Sequence, residues 1–123
     1  MVTGTVNAAL EGTVPFPVQD VQGQWHDVEA VVDSAFTRWL TLPSALIRAL
    51  ELLLVTNIQL ALADGSVVAF DVYDAIMIWD GGHRTIEVDA SESCPLVGTR
   101  MMAGYQLRMD VVVGGRVEIE QLP

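Results

Sequence analysis

Most of the chain reads as short runs of β-branched and aromatic residues broken by turn-forming pairs, the pattern of strands joined by tight connections. Val2 to Leu10 is the first such run and stops at Glu11-Gly12. Thr13 to Val18 follows, but Pro15 and Pro17 have no N–H to give to a ladder, so this run belongs at an edge or in a half-paired position. After a turn at Gln22-Gly23, Gln24 to Val32 runs with partial alternation into Asp33; Trp25, Val28 and the pair Val31-Val32 are its apolar positions. Thr37 to Leu42 is a short strand. Pro43 to Glu51 is the one good helix: Pro43 suits a first helical turn, and Leu46, Ile47 and Leu50 fall on one face. Asn57 to Ala63 and Ser66 to Trp79 are strands joined at Asp64-Gly65, a hairpin signal of the type I′ kind, which needs positive φ. A second hairpin turns at Asp80-Gly81-Gly82 and returns through His83 to Val88. After a loop from Ala90 to Pro95, Leu96-Val97 re-enter the core and Gly98 precedes a short helical segment near Thr99 to Ala103. Leu107 to Val113, a turn at Gly114-Gly115 and Val117 to Ile119 form the last hairpin. The pattern predicts one all-β domain over residues 1–123 with one or two short helices.

One of these strands carries the candidate chemistry. Val31-Val32-Asp33-Ser34-Ala35-Phe36 delivers a carboxylate, a hydroxyl and a tiny residue at a strand end, and Leu96-Val97-Gly98 lies far downstream. Taken alone, Asp33 is most simply an acid that caps its own turn through side-chain hydrogen bonds. Catalysis asks for more. Water is a poor nucleophile toward an amide, and two carboxylates that share one proton can activate it, one taking the water's proton while the other protonates the carbonyl oxygen. Only Asp33 sits in such a setting. Glu11, Asp64 and Asp80 are at turns, and Asp71, Asp74, Glu87 and Asp89 lie in strands of mixed polarity, where a solvated face is the simpler account. A monomer cannot assemble the pair from this motif, whereas a two-fold homodimer places Asp33 beside its own copy.

In order along the chain, Asp33-Ser34-Ala35, Leu40-Thr41-Leu42-Pro43 with its helix, Leu62-Ala63-Asp64-Gly65-Ser66, Leu96-Val97-Gly98 and Gly104-Tyr105-Gln106-Leu107 with Met109-Asp110-Val111 resemble the small retropepsin-like (clan AA) aspartic proteases of bacteria and archaea. The resemblance covers nearly the whole chain. It implies a retropepsin-like acid protease barrel with a flap hairpin, acting as a homodimer on a peptide or protein substrate without a cofactor or metal. Asp33 would be the catalytic acid, one per subunit. Ser34 would hold the hydroxyl position that braces the two active-site loops across the dimer axis, and Ala35 stands where the family carries Gly beside the substrate. Ala63, Asp64, Gly65 and Ser66 would form the flap, and Leu96, Val97 and Gly98 would pack under the active-site loop. Thr99-Arg100 replaces a hydrophobic-Asp pair, and Arg100 is then free to meet an acid of the active-site region or of a partner subunit. Two other functions follow from the same residues: a binding or assembly module that keeps the fold but has lost turnover, because Ala35 replaces Gly, and an unrelated small β-barrel whose Asp33 is structural.

Composition narrows the partners. The net charge is −10, with 16 acidic residues against 6 basic ones, so no basic patch is at hand for nucleic acid or an anionic membrane. Hydrophobic residues make up 51% of the chain, an excess that a subunit interface would use. Cys94 is the only cysteine, the longest apolar runs are too short to span a bilayer, and Met1 to Val6 lacks the features of a signal peptide, so the cytoplasm is the expected compartment. His26, His83 and Cys94 lack metal-ligand spacing. Trp25, Trp39 and Trp79 are most simply core or interface fillers, with Arg38 and Trp39 as weaker candidates for a pocket wall.

Overall fold

The β-rich runs form strands in the computed structural model, which describes residues 1–123. In chain order these are β1 (Val2–Val6), β2 (Gly12–Gln19), β3 (Trp25–Val32), β4 (Leu40–Leu42), β5 (Leu53–Ala61), β6 (Val67–Trp79), β7 (Gly82–Ala90), β8 (Leu96–Val97), β9 (Tyr105–Met109) and β10 (Arg116–Gln121), with helix α1 (Ser44–Leu50) between β4 and β5. All ten join in one sheet of order β5-β6-β7-β4-β8-β3-β2-β1-β10-β9. The all-β class holds. Where a barrel was expected, the pairing is that of one sheet with β5 and β9 at its ends, folded back on itself by a single bridge between Val18 of β2 and Met77 of β6.

Local chemistry accounts for most elements. Strand β2 pairs along its length with β3, but on its other side only Gly12 and Thr13 meet β1, so Pro15 and Pro17 face β1's side without a ladder to interrupt. Its alternate residues Val14, Phe16 and Val18 point into the core. Helix α1 starts one residue later than the pattern suggested, with Pro43 as its extended N-cap, and it buries Ile47 and Leu50. Together with Leu40, Leu42, Val88, Val97 and Met101 they fill the centre of the molecule. No helix is long and apolar enough to cross a membrane.

Several expectations change: the first strand ends at Val6 rather than Leu10, Gly12 already belongs to β2, and the strand expected from Thr37 covers only Leu40–Leu42. Thr99 to Ala103 is not a helix but a series of tight turns, with bonds from the N–H of Met101 to Gly98, of Met102 to Thr99 and of Ala103 to Arg100. Burial of Met101 and Met102 holds it in place. The strand expected at Leu107 to Val113 lies earlier, as β9, because Tyr105 to Met109 pair with β10 while Val111, Val112 and Val113 stay exposed. Strand β5 begins four residues sooner than expected and accommodates an irregularity between Leu54 and Thr56. The turn at Asp64-Gly65 is not type I′. Gly65 accepts positive φ (87°) but Asp64 does not, and the bonds Gly65 N–H to Leu62 O and Leu62 N–H to Ser66 O define a three-residue loop with a glycine bulge. The two-residue turn with positive φ at both positions is instead Asp80-Gly81, at 51° and 77°.

Candidate active site

Asp33 takes its place from strand pairing. β3 and β8 run parallel, with Val31 opposite Leu96 and Val32 opposite Val97, and the ladder continues one step as Asp33 donates its N–H to the Val97 carbonyl at 3.0 Å. β8 is held from the other side by antiparallel pairing with β4, through Leu40 and Val97. The end of β3 is thus fixed by a strand brought in from the far part of the chain.

Beyond Asp33 the chain turns at once. The Phe36 N–H returns to the Asp33 carbonyl, and the Ala35 N–H donates to Asp33 Oδ1 at 2.9 Å. Asp33 is half-buried, whereas Ser34 and Ala35 are exposed. The non-glycine residues at positive φ are Leu10, Glu51 and Asp80, so Ala35 occupies ordinary backbone space and its methyl group causes no conformational strain.

Gly98 explains the tightness underneath. Its N–H bonds the Trp39 carbonyl, and the next N–H, from Thr99, bonds the Phe36 carbonyl at 2.8 Å. A Cβ on Gly98 would fall against the Arg38 carbonyl oxygen and 2.7 Å from the Phe36 carbonyl oxygen. Only glycine lets the two chain segments approach this closely. Leu96 and Val97 thus pair beside the end of β3, and Gly98 packs against the segment that follows the Asp33 turn.

The other predicted site residues lie elsewhere. Ala63, Asp64, Gly65 and Ser66 are all exposed at the tip of the β5–β6 hairpin. Asp64 Oδ1 accepts from the Ser66 N–H and hydroxyl, and these bonds hold the carboxyl below the usual carboxylate range. Nothing lies within 4 Å of a Cβ placed on Gly65. The outer half of this hairpin exposes Leu60, Leu62, Val67 and Val68. Within one chain the tip and the Asp33 turn share no hydrogen bond or ion pair, and Asp33 lines none of the three main surface recesses.

Asp89 corrects the reading of its strand. It is not on a solvated face but 5% exposed, because the end of β7 lies between β6 and β4. Its partner is Arg38, whose Nε donates to Asp89 Oδ2 at 2.6 Å and whose Nη2 donates to Oδ1 at 2.8 Å. The Asp89 bonds raise the guanidinium above its already high ordinary value, so Arg38 stays charged. Glu87 remains exposed and takes a further bond from Arg38. This pair was missed because its members are 51 residues apart, and neither stands in a motif. Alternation puts Asp89 on the same strand face as the exposed Glu87, so no local pattern marked its burial.

The remaining candidates are peripheral. Arg100 is exposed and forms no ion pair within the chain. His26 bonds Asp20 at the surface, Trp25 lies against His83 with the two rings tilted, Cys94 is exposed, and Trp79 is buried between Phe16 and Tyr105. No group of three or more His, Cys, Asp or Glu side chains is gathered to hold a metal ion.

These features define an all-β protein with a braced aspartate turn and a projecting hairpin. No protein-family model, no curated protein and no solved structure matches the chain.

Proposed function

We propose that the protein is an aspartic endopeptidase of retropepsin-like fold, working as a cytoplasmic homodimer in which each subunit contributes one Asp33. The observation that carries this reading is the bracing of the Asp33 turn: a parallel strand ends under it, and Gly98 admits backbone contact that no other residue would allow. Two such turns related by a two-fold axis would bring their carboxylates together. Like charges at short range resist joint ionisation, so the pair would share one proton. One carboxylate would take the proton of the attacking water while the other protonates the peptide carbonyl. The β5–β6 hairpin would lie over the substrate and exclude water, with Ala63, Asp64, Gly65 and Ser66 at its tip. No substrate sequence is implied.

Support for the dimer comes from what the single chain leaves uncovered. Leu53, Leu54, Val55, Leu60, Leu62, Val67 and Val68 are all at least 44% exposed. From Leu53 to Phe70 the only charged residue is Asp64, in a protein whose net charge is −10. An uncharged surface is where two strongly acidic bodies can meet at least cost.

The decisive experiment is Asp33→Asn. Peptide hydrolysis is expected to fall by about 1,000-fold or more with folding and dimerisation unchanged. Hydrolysis that survives in this variant would falsify the proposal. A second reading, a binding or assembly module without turnover, is favoured by one observation: Asp33 Oδ1 is already engaged by the Ala35 N–H, as in an ordinary capped turn. It predicts a dimer that binds peptides but releases no product, with Ala35 or Gly at position 35.

A further inference from the structure

The Asp33 turn has a second attachment, and it leads to the hairpin. Arg38 lies in the segment that follows the turn, and its backbone carbonyl lies against Gly98. Its side chain reaches three places at once. Nε and Nη2 grip Asp89 on β7, Nη2 also bonds Glu87 Oε2 at 2.8 Å, and the guanidinium carbon lies 5.9 Å from the centre of the Phe70 ring on β6. Phe70 pairs with Ile58 of β5. It sits at the foot of the projecting hairpin: Val67, Val68 and Ala69 before it are exposed, and Val72 beyond it is buried.

We propose that Arg38 is a positioning residue that couples the β5–β6 hairpin to the Asp33 turn. The inference rests on the peptidase reading for its functional meaning. Asp89 is buried and takes both of its bonds from this guanidinium, so the group is held in place with its carbon over the Phe70 ring. The planar cation is attracted to the ring face. When the foot of the hairpin shifts, the Arg38 side chain can carry that shift to its own backbone, which is packed on Gly98, alongside the β6–β7–β4 ladder. Closure over a substrate and alignment of Asp33 would then be linked through one residue that touches neither the water nor the peptide bond.

Phe70→Leu tests the link without disturbing the Arg38–Asp89 pair, and Phe70→Tyr restores a ring face. Amide hydrogen exchange of the full-length protein is read at residues 34–39 and 58–70. In Phe70→Leu, exchange is expected to rise in both segments, by about fivefold at residues 34–39, and to return to the native level in Phe70→Tyr. In peptide hydrolysis, kcat should fall by a similar factor with KM changed less. Arg38→Lys, which keeps the charge but loses the two-pronged bond, should raise exchange in both segments as well. Exchange that rises only in the hairpin of Phe70→Leu overturns the coupling. If the native protein shows no hydrolysis that depends on Asp33, the peptidase reading fails, and the exchange data still decide whether the two segments are coupled.

Discussion

At Asp33 and again at Asp64, an aspartate side chain accepts a hydrogen bond from the backbone N–H two residues later, at 2.9 Å in both cases. The local chemistry is the same, and the surroundings are opposite. The Asp33 turn closes against Val97, Gly98 and Thr99, and backbone bonds tie this one segment to Asp33, Phe36 and Trp39. The Asp64 turn ends a two-stranded ribbon whose outer half is exposed on both faces, and space is open around Gly65. A capped turn is therefore not in itself a sign of function. What separates a braced aspartate from a free one is the tertiary structure behind it. An isolated two-stranded ribbon is marginal in water, so the hairpin depends on the body at its foot and on whatever covers it.

The sharpest way to break the comparison is at Gly98. Gly98→Ala sets a methyl group against two carbonyl oxygens and should cost more than about 3 kcal/mol, measured by denaturant unfolding. A loss below about 1 kcal/mol would mean that the turn is not braced there. Gly65→Ala tests the free turn. It meets no neighbour but must hold φ near 87°, so the cost should be about 1 kcal/mol. Ala35→Gly should be milder still, at about 0.5 kcal/mol, because Ala35 is exposed and has ordinary φ, and the substitution acts mainly by freeing the unfolded chain. A large stabilisation by this change would show that Ala35 is strained after all.

The smallest expected effect is on titration. The Ser66 hydroxyl and N–H favour the ionised Asp64 carboxyl, so its folded value lies below the ordinary value of about 4. The sign follows from linkage. These bonds contribute fully above the unfolded value and are lost as pH falls through the depressed folded one. An NMR titration of the side-chain carboxyl should place the Asp64 midpoint low in the native protein and return it upward in Ser66→Ala, with little change in overall stability.

Much of the strand pattern was legible because turn chemistry is local. The Asp80-Gly81 hairpin, the half-paired Pro15 and Pro17, the helix that buries Ile47 and Leu50, and Leu96-Val97 re-entering the core could all be read from neighbouring residues. The misplacements have physical causes. Thr99 to Ala103 has helix-like spacing, but its bonds reach only three residues back, and Gly104, whose φ is 85°, ends the segment before any four-residue helical bond forms. Val111 to Val113 has strand composition but no partner strand. Asp64-Gly65 carries the letters of a two-residue turn, yet the Asp64 side chain bonds forward to Ser66 and a three-residue loop results.

By itself, the sequence determined the β-rich class, most turn positions and the Asp33-Ser34-Ala35 motif, since these depend on side-chain period, backbone preference and contacts within a few residues. Only the tertiary structure decided that Val97 would cap the ladder at Asp33, that Asp89 would be buried against Arg38, and that Phe70 would join the hairpin to the same guanidinium. Those contacts join residues far apart in the chain. Their strength comes from burial and mutual geometry, which no short stretch of sequence contains.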